Sequence, residues 1–365
     1  MSSTSFDQKK FNSMAFGKYV DNIPNPKKNA LAKSKAVGGS PQANTALSDQ
    51  SGSLYARVPY FGNIKSSTSQ NNDGMTDIET SHVSSFDQGF ITVSRMDAWT
   101  ERDFSTFITA GVDFMDNVAS QLAEYKMEVK QDIILAVLEG IYSMNCEGDS
   151  VVAKANASFI ENHSYDVTGE DDGTVRSSTL NKAIQRAGGD NKNIFRLAIM
   201  HSMVATNLEN LKLLKYMTQT DSMGIEQDLT LATWNGRIVL IDDNMPVISG
   251  NPVDGEADEE YYITYVLGEN AIIMDLLPER YPYVMTRDEL KNGGQTTLVT
   301  RDRYYVGVNG ISFDKPSSLT ASATNVDLAN GENWNVISDG VEAVSHKIIP
   351  ITRIISKGWS YEEIE

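Results

Sequence analysis

Apolar residues recur at steps of three and four positions from about Val112 to Tyr142, the longest such pattern in the chain. The positions are Met115, Val118, Leu122, Tyr125, Val129, Ile133, Ala136 or Val137, and Ile141. This spacing places them on one face of an α-helix. About 30 residues at ~1.5 Å each give a helix of ~45 Å, whereas the mean globular helix has ~11–12 residues. The pattern therefore predicts a spine helix. A coiled coil is the weaker alternative, because the steps do not keep a strict heptad.

Two β-prone segments precede this helix. Residues 54–61 (LYARVPYF) alternate in polarity, and residues 89–93 (GFITV) form a second short apolar segment. Residues 62–88 between them are rich in Ser, Thr, Asn and Asp. Connections longer than ~12–15 residues are uncommon in compact domains. We therefore predict two strands joined by an extended loop whose contacts lie on another molecule.

Residues 151–285 follow the helix and predict a mixed α/β unit. The predicted elements are a helix at 178–187, a buried strand at 195–200, a helix capped by Ser202 and running to about Tyr216, a hairpin at 234–241 that turns at Asn235-Gly236, a turn at 242–246, and strands at 261–267 and 271–277. Residues 286–365 return to β character, mainly at 301–313 and 347–355. Pro350 interrupts the last segment, which predicts an edge or bulge position.

Charge divides the chain unevenly. The chain has 365 residues, with 31 basic and 49 acidic side chains and a net charge of −18. Residues 1–50 contain seven lysines and three acidic residues, so this segment carries +4 and residues 51–365 carry −22. A segment with this negative charge binds nucleic acid or anionic membranes poorly, because like charges repel. Residues 1–53 are polar and basic, and we predict an extended arm that orders only against a partner, such as an acidic neighbouring subunit. A disordered basic tail with no role is an equal alternative on this composition, and contact of the lysines with DNA is a weaker one.

The sequence contains few residues or motifs that indicate catalysis, cofactor binding or metal binding. Cys146 is the single cysteine, so an intrachain disulfide and a cysteine zinc cluster are excluded. The N-terminus has no apolar segment typical of a secretory signal, and no apolar run approaches the ~20 residues of a membrane span. Phosphate-binding, nucleophile-elbow and zinc-protease motifs do not occur in the sequence. The four histidines, which are His82, His163, His201 and His346, have no metal-ligand spacing. We therefore predict no catalytic, cofactor-binding or metal-binding residues, and no enzyme.

One catalytic alternative stays open. His201-Ser202 lies at a predicted strand-to-helix junction, and Asp242-Asp243 follows a predicted strand. If these groups converge, His201, Asp242 and Asp243 could serve a metal-dependent hydrolase. The simpler interpretation is a capped helix beside an Asp-rich turn that bonds its own backbone.

Five motifs follow one another along the chain: VPYF at 58–61, MHS at 200–202 with Leu208, WNGRIV at 234–239 with DDNMPV at 242–247, RD at 287–288 with 301–310, and NVDLANGENW at 325–334. In this order they resemble one branch of the tailed-bacteriophage major capsid (coat) proteins of the Hong Kong 97-type fold. The resemblance covers about residues 56–356.

The resemblance implies an α+β fold with an N-terminal arm, an extended two-stranded loop, a spine helix with a β-sheet, and a mixed α/β axial domain. The corresponding segments are 1–55 for the basic arm, 56–95 for the extended loop (E-loop), 96–150 for the peripheral domain with the spine helix, 151–285 for the axial domain, and 286–365 for the return to the peripheral domain and the C-terminal strand. Lys65 lies in the loop where the founding member has its cross-linking lysine. A loop lysine is usually only solvated, so its position alone does not predict a covalent bond, and cross-linking stays open.

The function that the resemblance implies is structural: self-assembly into pentamers and hexamers of an icosahedral or prolate phage head that encloses double-stranded DNA. The implied partners are further copies of the chain, a separate scaffolding protein and a portal protein, with decoration proteins left open. The DNA is enclosed without sequence-specific binding, and no membrane is involved. The implied location is the virion, after assembly in the host bacterial cytoplasm. An encapsulin-like protein compartment is the alternative within the same fold.

Overall fold

The computed structural model describes residues 16–18, 20, 30–31, 33–48, 54–62, 71–77, 85–102, 114–170, 172–220, 226–249 and 260–358. Its helices are α1 (Pro41–Ser48), α2 (Phe114–Tyr142), α3 (Val151–His163), α4 (Thr179–Gly188), α5 (Ser202–Asn210) and α6 (Asn325–Ala329). Its strands are β1 (Val37–Gly38), β2 (Tyr55–Phe61), β3 (Ser85–Arg102), β4 (Ser164–Asp166), β5 (Phe195–Met200), β6 (Leu214–Thr220), β7 (Glu226–Trp234), β8 (Arg237–Ile241), β9 (Val247–Ser249), β10 (Glu260–Gly268), β11 (Ile272–Leu276), β12 (Tyr283–Asp288), β13 (Gln295–Val308), β14 (Ile311–Phe313), β15 (Trp334–Val336) and β16 (Ile351–Lys357). These strands form two eight-stranded sheets.

The first sheet is organised around one long antiparallel ribbon. β3 pairs with β13 from Ile91↔Val306 to Arg102↔Gln295, and β2 pairs with the opposite end of β3. The predicted pair of strands on either side of a polar excursion is therefore confirmed. β3 continues to Arg102, beyond the predicted end at residue 93. Residues 94–102 are exposed or half-buried, so backbone pairing with β13 extends the strand without an apolar sequence pattern.

The spine helix is confirmed as α2, a single helix of 29 residues. Its C-terminal half carries the deepest side chains of the main core, with Ile133, Val137, Leu138 and Ile141 all at 0% exposure. The helix is packed closely at Gly140, because a Cβ atom there would lie 2.1 Å from the Leu328 carbonyl oxygen. A long helix is stabilised mainly by such tertiary burial of its apolar face.

The second sheet has the strand order β4-β16-β10-β5-β8-β7-β6, with β9 paired to β10. The predicted hairpin at Asn235-Gly236 is confirmed, since these residues have φ of 48° and 79° as a type I′ turn requires. The predicted long helix from Ser202 to Tyr216 is wrong. His201 is the N-cap residue, the helix ends at Asn210, and β6 follows because Leu214 pairs with Trp234 of β7.

The position of Pro350 also differs from the prediction. β16 begins at Ile351 and lies between β4 and β10, so it is not an edge strand. Pro350 can precede an interior strand because it lies outside the paired residues and only its carbonyl is used, as the acceptor for the Gly268 N–H at 2.7 Å. The sheets also cross the predicted boundary at residue 285, since β11 and β12 lie in the first sheet and β16 in the second.

Much of the N-terminal segment packs against its own chain. β1 pairs with β11 in parallel, and the buried Leu47 of α1 packs against Val58 and Phe90. Leu31 joins the main core. The expectation that residues 1–53 order only against a partner is therefore wrong for residues 30–31 and 36–48, whose apolar side chains are too widely spaced to show a periodic pattern. Residues 1–15, 21–29 and 49–53 lie outside the described residues.

Candidate assembly surfaces

His201 and Asp243, two of the three groups of the hydrolase hypothesis, lie close together. His201 Nε2 is 3.9 Å from Asp243 Oδ1, and the Ser202 N–H donates to the same oxygen at 3.3 Å. His201 Nδ1 accepts the Met203 N–H at 3.1 Å and so caps α5. These contacts occupy both side chains in holding the start of the helix. Among the described residues, no group of three His, Cys, Asp or Glu side chains is arranged to hold a metal ion.

Asp242 contacts the spine helix. Its carboxylate accepts a hydrogen bond from the side-chain amide of Gln131 on α2, and the Asn244 N–H donates to its other oxygen at 3.3 Å. Gln131 is 2% exposed and Asp242 is 6% exposed. The DDNMPV motif therefore acts as a clamp: it joins the second sheet to the spine helix on one side and to α5 on the other.

The NVDLANGENW motif packs against the C-terminal end of the spine helix. The indole N–H of Trp334 donates to the Leu328 carbonyl at 2.7 Å, and the Asn333 amide donates to the Asp327 carbonyl at 2.8 Å. A Cβ atom on Gly331 would lie 1.8 Å from the Ser143 carbonyl oxygen, so glycine is required at that contact. The motif fixes α6 against the C-terminal end of α2.

A third contact fastens the spine helix to the ribbon. Lys126 Nζ lies 2.8 Å from an Asp302 carboxylate oxygen and 2.6 Å from the Tyr283 hydroxyl. Burial lowers the pKa of Lys126, but the Asp302 charge and the hydrogen bonds to Asp302 and Tyr283 together outweigh burial, and the pKa is raised overall. The lysine therefore stays charged, and the pair links α2 to β13.

Two histidines that are far apart in sequence meet beside β16 of the second sheet. His163 Nε2 lies 3.2 Å from His346 Nδ1, while His163 Nδ1 contacts the Ile351 carbonyl oxygen. The His163 ring also stacks on Phe159 at 4.6 Å between ring centres. Burial lowers the pKa of His163 to about 4. The sequence alone does not predict this contact, because no local pattern relates two positions so far apart in the chain.

Large apolar side chains project at the tips of the molecule. Leu290 in the turn between β12 and β13 is 96% exposed, Met75 in the excursion between β2 and β3 is 94% exposed, and Val341 is 80% exposed. Lys65 and His82 lie outside the described residues, and Cys146 is half-buried, with its thiol pKa raised by burial. Within the described ranges, no helix is both long and apolar enough to cross a membrane. The spine helix is therefore held by specific contacts to both sheets and to α6, while large apolar side chains remain exposed on the surface. This combination is expected of a subunit in a larger assembly.

Comparison with known proteins identifies the family. Residues 111–344 match the family model described as Major capsid protein 13-like (Gp13-like). This chain belongs to that family. The Major capsid protein of Bacillus phage SPP1 is 23% identical to it over 311 residues, which is 85% of this chain and 83% of the SPP1 protein.

Solved capsid structures share the fold of this Gp13-like protein. The capsid of Ralstonia phage GP4 has a TM-score of 0.54 at 11% identity, covering 90% of this chain and 91% of that chain. The Cyanophage Pam1 capsid asymmetric unit has a TM-score of 0.52 at 11% identity, covering 98% and 99%. The predicted α+β fold of Hong Kong 97 type and the resemblance to phage major capsid proteins are both confirmed.

Proposed function

We propose that this chain forms the pentamers and hexamers of an icosahedral or prolate phage head around double-stranded DNA. The observation that carries the proposal is the match to the major capsid protein family over residues 111–344. The architecture supports it: a long helix packed between two sheets gives a firm tile, and the polar excursion that joins the paired strands β2 and β3 is long enough to reach a neighbouring subunit. Such extensions allow neighbours to interlock, and many weak contacts become a stable shell by multivalency.

The proposed role is structural and not catalytic. His201, Asp242 and Asp243 are better explained as the clamp described above. The membership in a major capsid protein family favours a phage head over an encapsulin-like compartment. Neither the hydrolase nor the compartment has an observation in its favour.

The strand pairings support an assignment of each segment to the extended loop, the axial domain or the peripheral domain. We assign the extended loop to residues 56–95, because β2 and β3 pair as two strands on either side of the polar excursion. We assign the axial domain to the strands of the second sheet, so β16 joins it and β11 and β12 belong to the peripheral domain. The described lysines of the arm, Lys18, Lys33 and Lys35, are exposed and keep the proposed attraction to an acidic neighbour.

The remaining partners follow from the proposed role. A shell of defined size needs a scaffolding protein and a portal, and decoration proteins are left open. The location of the assembled protein is the virion, after assembly in the host bacterial cytoplasm. The chain's net charge of −18 suits enclosure of DNA without binding it.

Electron microscopy of the purified protein tests the proposal. We expect rings or shells, alone or after co-expression with a scaffolding protein. Nuclease-protected double-stranded DNA in particles from infected cells would separate a phage head from an enzyme compartment. Stable monomers at every pH and salt concentration, with and without scaffold, would contradict the proposal.

A further inference from the structure

Asparagine is followed directly by glycine at four places in the sequence, and the structure gives these pairs very different surroundings. They are Asn235-Gly236, Asn292-Gly293, Asn309-Gly310 and Asn330-Gly331. An asparagine in this position loses its side-chain amide most easily, because glycine has no Cβ atom to hinder the approach of its backbone nitrogen. The sequence alone does not distinguish the four pairs, so their relative reactivity depends on the fold.

The reaction is a cyclisation followed by hydrolysis. The deprotonated backbone nitrogen of the glycine attacks Cγ of the asparagine, the new N–Cγ bond closes a succinimide ring, and the Cγ–Nδ2 bond breaks as ammonia leaves. Water then opens the ring at either carbonyl carbon. Cleavage at Cγ gives aspartate, and cleavage at the main-chain carbonyl carbon gives isoaspartate. In sum, water is consumed, ammonia is released and a neutral amide becomes a carboxylate, without an oxidant or an enzyme.

The ring closes only when the asparagine side chain and the following peptide unit rotate toward each other. A folded protein therefore reacts from conformers in which the turn has opened locally. The free energy of local opening ranges from about 0 for surface turns to the global unfolding free energy for core segments. Each ~1.4 kcal/mol of opening slows the reaction about tenfold. The packing around each pair thus ranks the four sites.

The pair Asn330-Gly331 is held against the spine helix. Gly331 is buried, and a Cβ atom on it would lie 1.8 Å from the Ser143 carbonyl oxygen. Asn330 Oδ1 accepts the Glu332 N–H at 3.1 Å. Rotation at this pair would disrupt the packing of the motif on α2.

The pair Asn309-Gly310 is held between β13 and β14. Gly310 is buried, and its carbonyl accepts the Ile337 N–H at 3.2 Å. The Tyr60 hydroxyl donates to Asn309 Oδ1 at 3.3 Å. These contacts fix both the backbone and the side chain that would have to rotate.

The pair Asn235-Gly236 is exposed, but the strands on both sides lock its turn. The hairpin has only these two turn residues, because Trp234 and Arg237 already pair with each other. Trp234 is 0% exposed, and the Arg237 side chain donates to the Asn235 carbonyl at 3.0 Å. Rotation here breaks the closing pair of the hairpin and disturbs a buried tryptophan.

The pair Asn292-Gly293 lies in a longer turn between β12 and β13. Residues 289–293 are all exposed. The Asn292 side-chain amide donates to Gln295 Oε1 at 2.8 Å in an exposed hydrogen bond, and such bonds contribute only about 0.5–1.5 kcal/mol. Gly293 and Gly294 follow with φ of 75° and 109°, and no atom lies within 4 Å of a Cβ position on Gly293. Rotation here displaces no core side chain.

We propose that Asn292 is a site of spontaneous deamidation, and that the folded chain converts it to aspartate and isoaspartate before the other three asparagines react. The reactant is water, and the product carries a new negative charge beside Asp288 and Glu289. The isoaspartate form is a substrate for the class of methyltransferases that recognise isoaspartyl residues. The reaction takes place in a single subunit, so it does not depend on the proposed function.

Peptide mass spectrometry of the full-length protein, aged in mildly alkaline buffer, tests the proposal. Conversion at each site is followed by the mass change from amide to acid, and isoaspartate by enzymatic methyl transfer. We expect Asn292 to convert about tenfold faster or more than each of the other three asparagines. In the chain unfolded by denaturant, all four should convert at similar rates. A second site that reacts as fast in the folded protein would overturn the proposal, as would an unchanged Asn292 over a period in which the unfolded chain converts it.

Two variants give an independent readout by native isoelectric focusing. The aged parent should gain a more acidic band. Asn292→Gln should not gain it on the same time scale, because the longer glutamine side chain must close a larger and slower-forming ring. Asn235→Gln is the matched control and should gain the band as the parent does. An acidic band that forms at the parent rate in Asn292→Gln would refute the assignment, and the mass measurement decides the question without any variant.

Discussion

The buried side chain of Gln131 on the spine helix donates a hydrogen bond to the buried carboxylate of Asp242 in the turn after β8. The spine helix and the second sheet are thus joined by one polar contact inside an apolar core. Asp242 also accepts the Asn244 N–H, so the carboxylate orients its own turn as well. This relationship explains physically why a motif of two aspartates lies at this point of a structural protein.

Removing the amide should weaken this joint. Gln131→Leu removes the side-chain amide that donates to the buried Asp242 carboxylate, and hydrogen bonds to charged groups contribute about 1.5–3 kcal/mol. We expect the free energy of unfolding of the unassembled subunit to fall by about that amount in denaturant titrations. Asp243→Asn is the matched control, because that side chain is 73% exposed. Equal losses for the two variants would argue against the clamp.

Close packing at Gly140 predicts a second effect. A Cβ atom there would lie 2.1 Å from the Leu328 carbonyl oxygen and 2.6 Å from Trp334 Nε1. Gly140→Ala gains up to about 1 kcal/mol in helix propensity. Overpacking costs about 1–3 kcal/mol, so we expect net destabilisation. Thermal melting measures it, with Gly169→Ala as the control because no atom lies within 4 Å of its Cβ position. A stabilised Gly140→Ala protein would contradict the packing of α2 against α6.

The His163–His346 pair predicts acid sensitivity. His163 Nδ1 faces a carbonyl oxygen and must carry a proton, so Nε2 accepts the Nδ1–H of His346. A second proton on His163 would place two N–H groups face to face. Burial lowers the pKa of His163 to about 4, and burial followed by the Lys347 charge lowers that of His346. The neighbouring Tyr142 is buried and donates its hydroxyl to the His163 carbonyl at 3.2 Å.

The sign of the pH effect follows from these directions. The neutral histidine is favoured in the folded state, so its stabilisation is complete above the unfolded pKa of about 6.5 and is lost as the pH falls toward 4. For His163 the loss is about 3 kcal/mol. Unfolding free energies at pH 7, 6, 5 and 4 should fall more steeply for the parent than for His163→Gln. Parallel curves would show that the pair does not titrate with folding.

Exposed lysines of the N-terminal segment predict a salt effect on assembly. Deleting the segment would also remove the buried Leu31 and Leu47, so substitution is the better test. Lys18→Gln/Lys33→Gln/Lys35→Gln should weaken shells, most strongly at low salt, where their attraction to an acidic neighbour is least screened. Lys154→Gln/Lys182→Gln/Lys212→Gln changes the net charge equally and should weaken shells less. Light scattering across salt concentrations compares them, and identical behaviour would contradict an arm-specific attraction.

Local sequence determined those elements whose formation depends on near neighbours. The spine helix follows from apolar residues on one helical face, and it extends from Phe114 to Tyr142 as its periodicity indicates. The hairpin at Asn235-Gly236 follows from two residues that tolerate positive φ. The family resemblance also came from short ordered motifs, and the family match and shared fold confirmed it.

The tertiary structure alone decided how these elements meet. Leu31 and Leu47 carry too little periodicity to show that they join the body, and Pro350 gives no local indication that an interior strand follows it. The contacts between Gln131 and Asp242 and between His163 and His346 join residues far apart in the chain. The physical reason is the same in each case: local patterns fix backbone conformation, whereas burial and hydrogen-bond partners across the core depend on the packing of the whole chain.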